Sequence, residues 1–250
     1  MQHLISTQNN QFTFSDGRFY QAETGGWVPS VTTILEAYPK PFALLQWFKE
    51  KGAAADELRD MAGRRGSTVH QLTEDYDNGL ECNLLNDYGT PAYSLEEWSM
   101  FERYVDFTQR FKPMHIMIEQ NIVSQELGFA GTIDRVADIG GKRYIIDIKT
   151  SNMIAPSYWL QLAAYRELLS ESKLITQIDG VAVLWLNAKT RTNGKAGDMQ
   201  GKGWQMIIQT DGEIEKSLRL FKCTHQLWMH ENADAKPRLL TYQIKHLKDA

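Results

Sequence analysis

The spacing of apolar positions changes several times along this chain of 250 residues, and each change marks an element. Residues 132–139 and 142–149 are dense in β-branched and aromatic side chains and read as two strands. Gly140-Gly141 lies between them as a two-residue hairpin signal. Residues 115–124 alternate partly and read as a preceding strand, joined through a four-residue loop at Gln125–Gly128. Helical spacing takes over on either side of this meander. Leu95, Trp98, Phe101, Tyr104 and Val105 recur at three and four residues, so a helix is expected to about Phe111, opened by Ser94 and Glu97 at capping-box spacing. Leu160, Ala163, Ala164 and Leu168 predict a helix over about 157–171. Gly180–Asn187 and Gly203–Thr210 read as further strands, and Asp211–Asn232 as a last helix. Upstream, residues 11–28 read as a small hairpin turning at Asp16-Gly17. Ser30 can cap a short helix through Leu35, a helix carrying Leu44, Leu45, Trp47 and Phe48 follows Pro41, and Ala53 to about Asp77 reads as one or two helices. There are no repeats and no clear linker. The expectation is one α/β domain over 1–250, with an N-terminal hairpin and helical cover at 1–112 and the core at 113–250.

The hairpin register carries chemistry. With Gly140-Gly141 as the loop, Asp134 falls directly opposite Asp147, with Cβ atoms about 4.5–5.5 Å apart. Lys149 shares their face, because side chains on a strand repeat every second residue. Opposed like charges destabilise a sheet. A bound cation reverses that penalty, since carboxylate oxygens are the preferred ligands of a hard ion such as Mg²⁺. If Gln125–Gly128 is the loop, Glu119 pairs with Asp134 and a third acid joins the row. A loop one residue longer or shorter would turn Glu119 to the other face. On the helix that follows, Gln161 and Tyr165 stand four residues apart and project from one side. Asp138 and Arg143 read as solvated.

In combination, Gly131-Thr-Ile-Asp134, Ile145-Ile-Asp147-Ile-Lys149-Thr and Gln161-Leu-Ala-Ala-Tyr165 resemble the PD-(D/E)XK nuclease superfamily. The likeness is strongest to the branch of the RecB nuclease domain, the mitochondrial genome maintenance exonuclease and related phage exonucleases. Arg65-Gly-Ser-Thr-Val-His70 resembles the helix-borne histidine motif of that branch, and Pro29-Ser-Val-Thr-Thr-Ile-Leu35 its opening segment. Ile133 stands where the superfamily name has proline. The resemblance spans roughly residues 29–170. It implies a restriction-endonuclease-like fold, with a mixed sheet, an antiparallel catalytic hairpin and flanking helices. It further implies one or two Mg²⁺ or Mn²⁺ ions on His70, Asp134, Asp147 and the Ile148 backbone carbonyl. Lys149 would act on the attacking water or on transition-state charge, and Gln161 and Tyr165 would orient the lysine and contact the DNA backbone. A lone helix histidine is otherwise more often structural, and His70 gains its metal role from the resemblance alone. Glu74, one turn on, gains none and reads as solvated.

Bulk properties narrow the setting. The formal net charge of −4 argues against a nucleic-acid coat but leaves room for a local basic patch, for which Arg64-Arg65, Lys142-Arg143 and Lys189–Lys202 are candidates. Two cysteines, Cys82 and Cys223, cannot hold the iron–sulfur cluster that some relatives carry. Met1–Asn10 is polar, without the apolar core of a signal peptide, and no apolar run spans a membrane. A cytoplasmic location is the expectation. Seven tryptophans and many other aromatics are expected mostly in the core, with Phe129 and Trp159 as candidates for stacking on unpaired bases. The function expected is a metal-dependent DNA exonuclease of recombination, repair or phage genome processing, with any unwinding supplied by a helicase or recombination partner. The alternatives are a flap or junction endonuclease, and a non-catalytic nucleic-acid-binding module on the same fold.

Overall fold

The computed structural model describes residues 4–175, 177–188 and 203–237. It contains two sheets. The first is a four-stranded antiparallel meander of β1 (Leu4–Gln8), β2 (Gln11–Phe14), β3 (Gly17–Gln21) and β4 (Trp27–Pro29). Sequence patterning reached only the middle of it. The hairpin turns at Ser15-Asp16, one residue earlier than expected, with Phe14 opposite Gly17. The strands β1 and β4 were not expected: β1 is exposed along its whole length and β4 has only three residues, so neither shows an alternating apolar face. The N-terminal region is therefore a sheet followed by helices, rather than a hairpin and helices. Ser30 caps α1 (Val31–Ile34) as expected, its hydroxyl accepting the Thr33 N–H at 2.9 Å. A single turn of 3₁₀ helix, α2 (Phe42–Lys51) and one long helix, α3 (Ala54–Asp77), lead to α4 (Leu95–Phe111). Both halves of the Ser94–Glu97 capping box form.

The second sheet has the order β5 (Met114–Ser124), β6 (Phe129–Ile139), β7 (Lys142–Lys149), β8 (Gly180–Trp185), β9 (Gln205–Gln209). Only β7 and β8 run parallel, joined by the crossover helix α5 (Pro156–Ser172). After β9 comes α6 (Asp211–Glu231). Helices cover both faces. Val136, Ile145, Val181 and Val183 pack with α1, α5 and α6. Their neighbours Ala137, Ile146, Ala182 and Leu184 pack with Val69 of α3 and Met100, Tyr104 and Phe107 of α4. Burial on both faces explains why β8 reads as an unbroken apolar run. The buried stripe of α4 is Met100, Phe101, Tyr104 and Phe107, whereas Leu95 in its first turn is exposed. No helix among the described residues is long and apolar enough to cross a membrane.

Candidate metal centre and active site

The hairpin of β6 and β7 turns at Gly140-Gly141, whose φ values of 58° and 79° are the two left-handed conformations that a tight turn of this kind requires. The register is the expected one, from Ile139 opposite Lys142 to Arg135 opposite Ile146. There the backbone ladder stops, one pair short of the acids. Beyond it, Oδ2 of Asp134 accepts the Ile148 N–H at 2.7 Å, so a carboxylate takes the place of a main-chain partner. The two strands fork at this point. Beyond the fork β6 meets the first sheet, where Gln11 and Tyr20 bond the Thr132 hydroxyl, and Ser30, just past β4, bridges Ala130. Through the fork, His70 of α3 reaches from the opposite face.

His70 donates Nε2–H to the Ile148 carbonyl at 3.0 Å, which leaves Nδ1 facing Oδ2 of Asp134 and Oε1 of Glu119, each at 3.6 Å. Glu119 lies in β5. The β5–β6 register is the expected one on both sides of it, through Gln120 opposite Ile133 and Ile118 opposite Arg135. Glu119 itself leaves the extended conformation, with φ at +46°. One ligand atom from each of His70, Glu119 and Asp134 fits within 4.8 Å of the others, a spacing that could hold a metal ion. Electrostatics follow from this crowding. Burial disfavours charge on the His70 ring, but the Asp134 and Glu119 carboxylates outweigh it and raise the pKa to about 9. Burial, together with Glu119, pushes the Asp134 carboxyl up. Burial and then Asp134 carry Asp147 up to about 6, although Lys149 works against the rise.

Asp147 is 1% exposed. Its Oδ1 accepts from the Gln161 amide at 3.1 Å, and its Oδ2 lies 2.7 Å from the Lys149 ammonium. That oxygen takes no well-directed hydrogen bond among the described residues. Gln161 is the hub on α5: its Oε1 accepts from Lys149 at 3.2 Å, and its amide donates to the Tyr165 hydroxyl at 2.9 Å. Lys149 also sits over the Tyr158 ring, 4.6 Å from its centre. A family model for the PD-(D/E)XK nuclease superfamily matches residues 43–239. The chain belongs to this superfamily. No curated protein matches it. In structure, a crystal structure of a Eubacterium rectale protein that bears the provisional name exonuclease covers 74% of this chain and 77% of its own, at 15% identity and a TM-score of 0.42. The five-stranded mixed sheet with its antiparallel hairpin is the restriction-endonuclease-like core of the superfamily.

For a PD-(D/E)XK chain, the donor set can be tested against the ion it would hold. The carboxylates of Glu119 and Asp134 crowd His70 Nδ1, and Asp147 stands beside Lys149, so acids outnumber the cations at the fork. A divalent cation would offset that excess of negative charge. The poorly satisfied Oδ2 of Asp147 and the mixed nitrogen and oxygen donors fit Mn²⁺ or Mg²⁺. Gly131, at the start of the acid motif, has a steric reason of its own. A Cβ there would stand 2.3 Å from Cε1 of Tyr165, so the ring packs directly against bare backbone. Gly131→Ala is expected to displace Tyr165 and, through Gln161, loosen Lys149. Cleavage should fall at least about tenfold, and overpacking should cost about 1–3 kcal/mol of stability. Chemical denaturation alongside single-turnover rates would show both.

Other expected positions are spread away from the fork. Phe129 is buried against Phe221 and His225 and cannot stack on a base, because a strand residue whose face meets α6 belongs to the core. Trp159 is half-buried against the same core. Arg143 pairs with Asp138 at 2.8 Å beside the hairpin turn, and Arg65 with Glu96 at 3.1 Å, while Arg64 is exposed. The segment Lys189–Lys202 lies outside the described residues. Glu74 is half-buried rather than solvated, its pKa raised by burial and by Glu119. Sequence reading missed Arg135 and Asp77, which form a buried ion pair at 2.6 Å. The signal available was an arginine between Ile133 and Ala137 on an inward strand face, a position that demands an anion. Nothing in the local sequence says which one.

Proposed function

We propose that the protein is a metal-dependent deoxyribonuclease that hydrolyses DNA from its ends. One observation carries the chemistry: His70, Glu119 and Asp134 converge at the fork of β6 and β7, and the Asp147–Lys149 ion pair stands beside them on β7. His70 Nδ1, the Glu119 and Asp134 carboxylates, Asp147 Oδ2 and the Ile148 carbonyl would hold one or two Mg²⁺ or Mn²⁺ ions. When bound, such an ion activates water and offsets charge on the scissile phosphate. The residues of the chain do the rest. Gln161 bonds both Asp147 and Lys149 and so holds them together, and the Tyr165 hydroxyl accepts from Gln161. Lys149 presents its ammonium where negative charge develops on the phosphate or on the attacking oxygen. Attack from the ends of DNA, rather than at a junction, is supported by the resemblance of the His70 and Gln161-x-x-x-Tyr165 motifs to the exonuclease branch. Such a nuclease would serve recombination, repair or phage genome processing in the cytoplasm, alongside a partner that unwinds DNA. Incubation with end-labelled single- and double-stranded DNA and Mg²⁺ or Mn²⁺ tests the reading. Mononucleotides or short oligomers are expected from the earliest times. A single cut at a flap or junction would make it an endonuclease, and metal-dependent binding without cleavage a non-catalytic module.

His70 provides a separate check. Its raised pKa means that a proton stabilises the metal-free fold; that contribution is complete below about 6.5 and is lost as pH rises through about 9. A metal on Nδ1 must displace this proton. Mn²⁺ affinity should therefore rise by up to about tenfold per pH unit below pH 9 and flatten above it. His70→Ala is expected to weaken Mn²⁺ binding and flatten this pH slope, with activity partly restored at high Mn²⁺. Identical titrations for the two proteins would make His70 a core histidine.

A further inference from the structure

Arg135 is 1% exposed, among the largest side chains buried outright in the protein. A guanidinium cannot shed its proton to escape burial, so it needs anions and acceptors around it. Every arm is engaged. Nε donates to Asp77 at 2.6 Å, and Nη2 to the Thr73 hydroxyl at 3.2 Å. Nη1 donates both to the Asp134 carbonyl at 2.6 Å and to Glu119 Oε1 at 3.0 Å. Asp77 is fastened in turn by the Tyr104 hydroxyl and by His115 Nε2 at 3.3 Å. One cation thus ties the last turns of α3 to β5 and β6, and through Asp77 to α4.

The conformation of Glu119 gives this network a purpose. A glutamate with φ at +46° inside a strand is uncommon and costs free energy. The ladder to β6 lapses at Glu119 and resumes on either side in the same register, unlike the bulge at Ile116, where the register shifts. In return, the carboxylate reaches His70 and Asp134. The strand itself does not hold it there, but Arg135 Nη1 does, gripping the carboxylate and the backbone of Asp134 together.

We propose that Arg135, anchored by Asp77, is the positioning residue of the metal centre: it holds Glu119 in its left-handed conformation with the carboxylate turned toward His70 and Asp134. This rests on the metal-centre reading above. Arg135 acts through Glu119 and touches neither metal nor DNA. Its charge by itself would repel a cation, so a purely electrostatic role and a geometric one differ in sign. Removing the geometry must weaken metal binding.

Calorimetric titration of the full chain with Mn²⁺, without DNA, separates these roles. Arg135→Lys keeps the charge but loses the planar fork that serves four acceptors at once. It is expected to weaken Mn²⁺ binding about 10–100-fold, the range found when a partner that orients a ligand is lost. Glu119→Gln should weaken it too, and the double variant should bind no more than about threefold more weakly than Glu119→Gln, since Arg135 acts through that carboxylate. Wild-type affinity in Arg135→Lys overturns the proposal, as do single effects that multiply in the double variant. Should Arg135→Lys not fold, Asp77→Asn removes the anchor with little change of shape. It should weaken Mn²⁺ binding about tenfold, and unchanged affinity again overturns the proposal. A wild-type protein that binds no Mn²⁺ overturns the metal centre itself, a result visible before any variant is made.

Discussion

Asp147→Asn is expected to lower cleavage by about a thousandfold or more, a loss of roughly 4 kcal/mol of transition-state stabilisation. Asp134→Asn should match it. The folded protein should survive both. At Asp147, burial and the nearby Asp134 hold the carboxyl pKa up to about 6, above its value in an unfolded chain. For an acid, that sign means the folded state binds the proton more tightly. The cost of ionising Asp147 is absent below about pH 4 and present in full above about pH 6. Asparagine removes that cost at pH 8, against a loss of counter-charge for Lys149 at 2.7 Å. The two effects oppose each other, so the metal-free melting temperature should be unchanged or higher. A fall of more than about 10 °C, equivalent to a few kcal/mol, would make the carboxylate a structural group first. Added Mn²⁺ should raise the melting temperature of the wild type and do far less for either variant.

Lys149→Ala should reduce the single-turnover rate by about two to three orders of magnitude while weakening DNA binding less than about tenfold. The reason is placement. The ammonium is held among Asp147, the Gln161 carbonyl and the Tyr158 ring, largely away from solvent. A group so enclosed gains little from a ground-state phosphate and more from charge that develops beside it during attack. Binding measured by anisotropy in Ca²⁺, next to rates in Mg²⁺, divides the two effects. Equal losses in both would make Lys149 a phosphate anchor.

Several parts of this protein are written locally. Gly140 and Gly141 adopt the positive φ values that almost no other residue takes without strain, and this sets the β6–β7 register. With a side-chain period of two, that register puts Asp134, Asp147 and Lys149 on one face at the end of the hairpin. The Ser94–Glu97 capping box, the Ser30 cap and the Gln161–Tyr165 pair are likewise contacts within one turn of helix. The Gln125–Gly128 loop is as local, and it sets the β5–β6 register on both sides of Glu119, though Glu119 itself does not pair with Asp134.

Tertiary structure decided the rest. The sequence gives no reason for the ladder to stop at Arg135 and Ile146, or for Asp134 to take the Ile148 N–H instead. His70 meets the Ile148 carbonyl across 78 residues and Arg135 meets Asp77 across 58, distances over which no periodicity carries information. The left-handed turn at Glu119 contradicts the β preference of its own segment and exists because a buried guanidinium holds its carboxylate. The outer strands of the first sheet leave no local pattern, because β1 is exposed throughout and β4 is too short to alternate. The chain by itself determined which residues share a strand face or a helix turn, since backbone geometry sets those within a few bonds. Which buried charge meets which was decided only when α3 and α4 closed over the sheet, because an ion in a dry interior takes whatever partner the packing brings, wherever it lies along the chain.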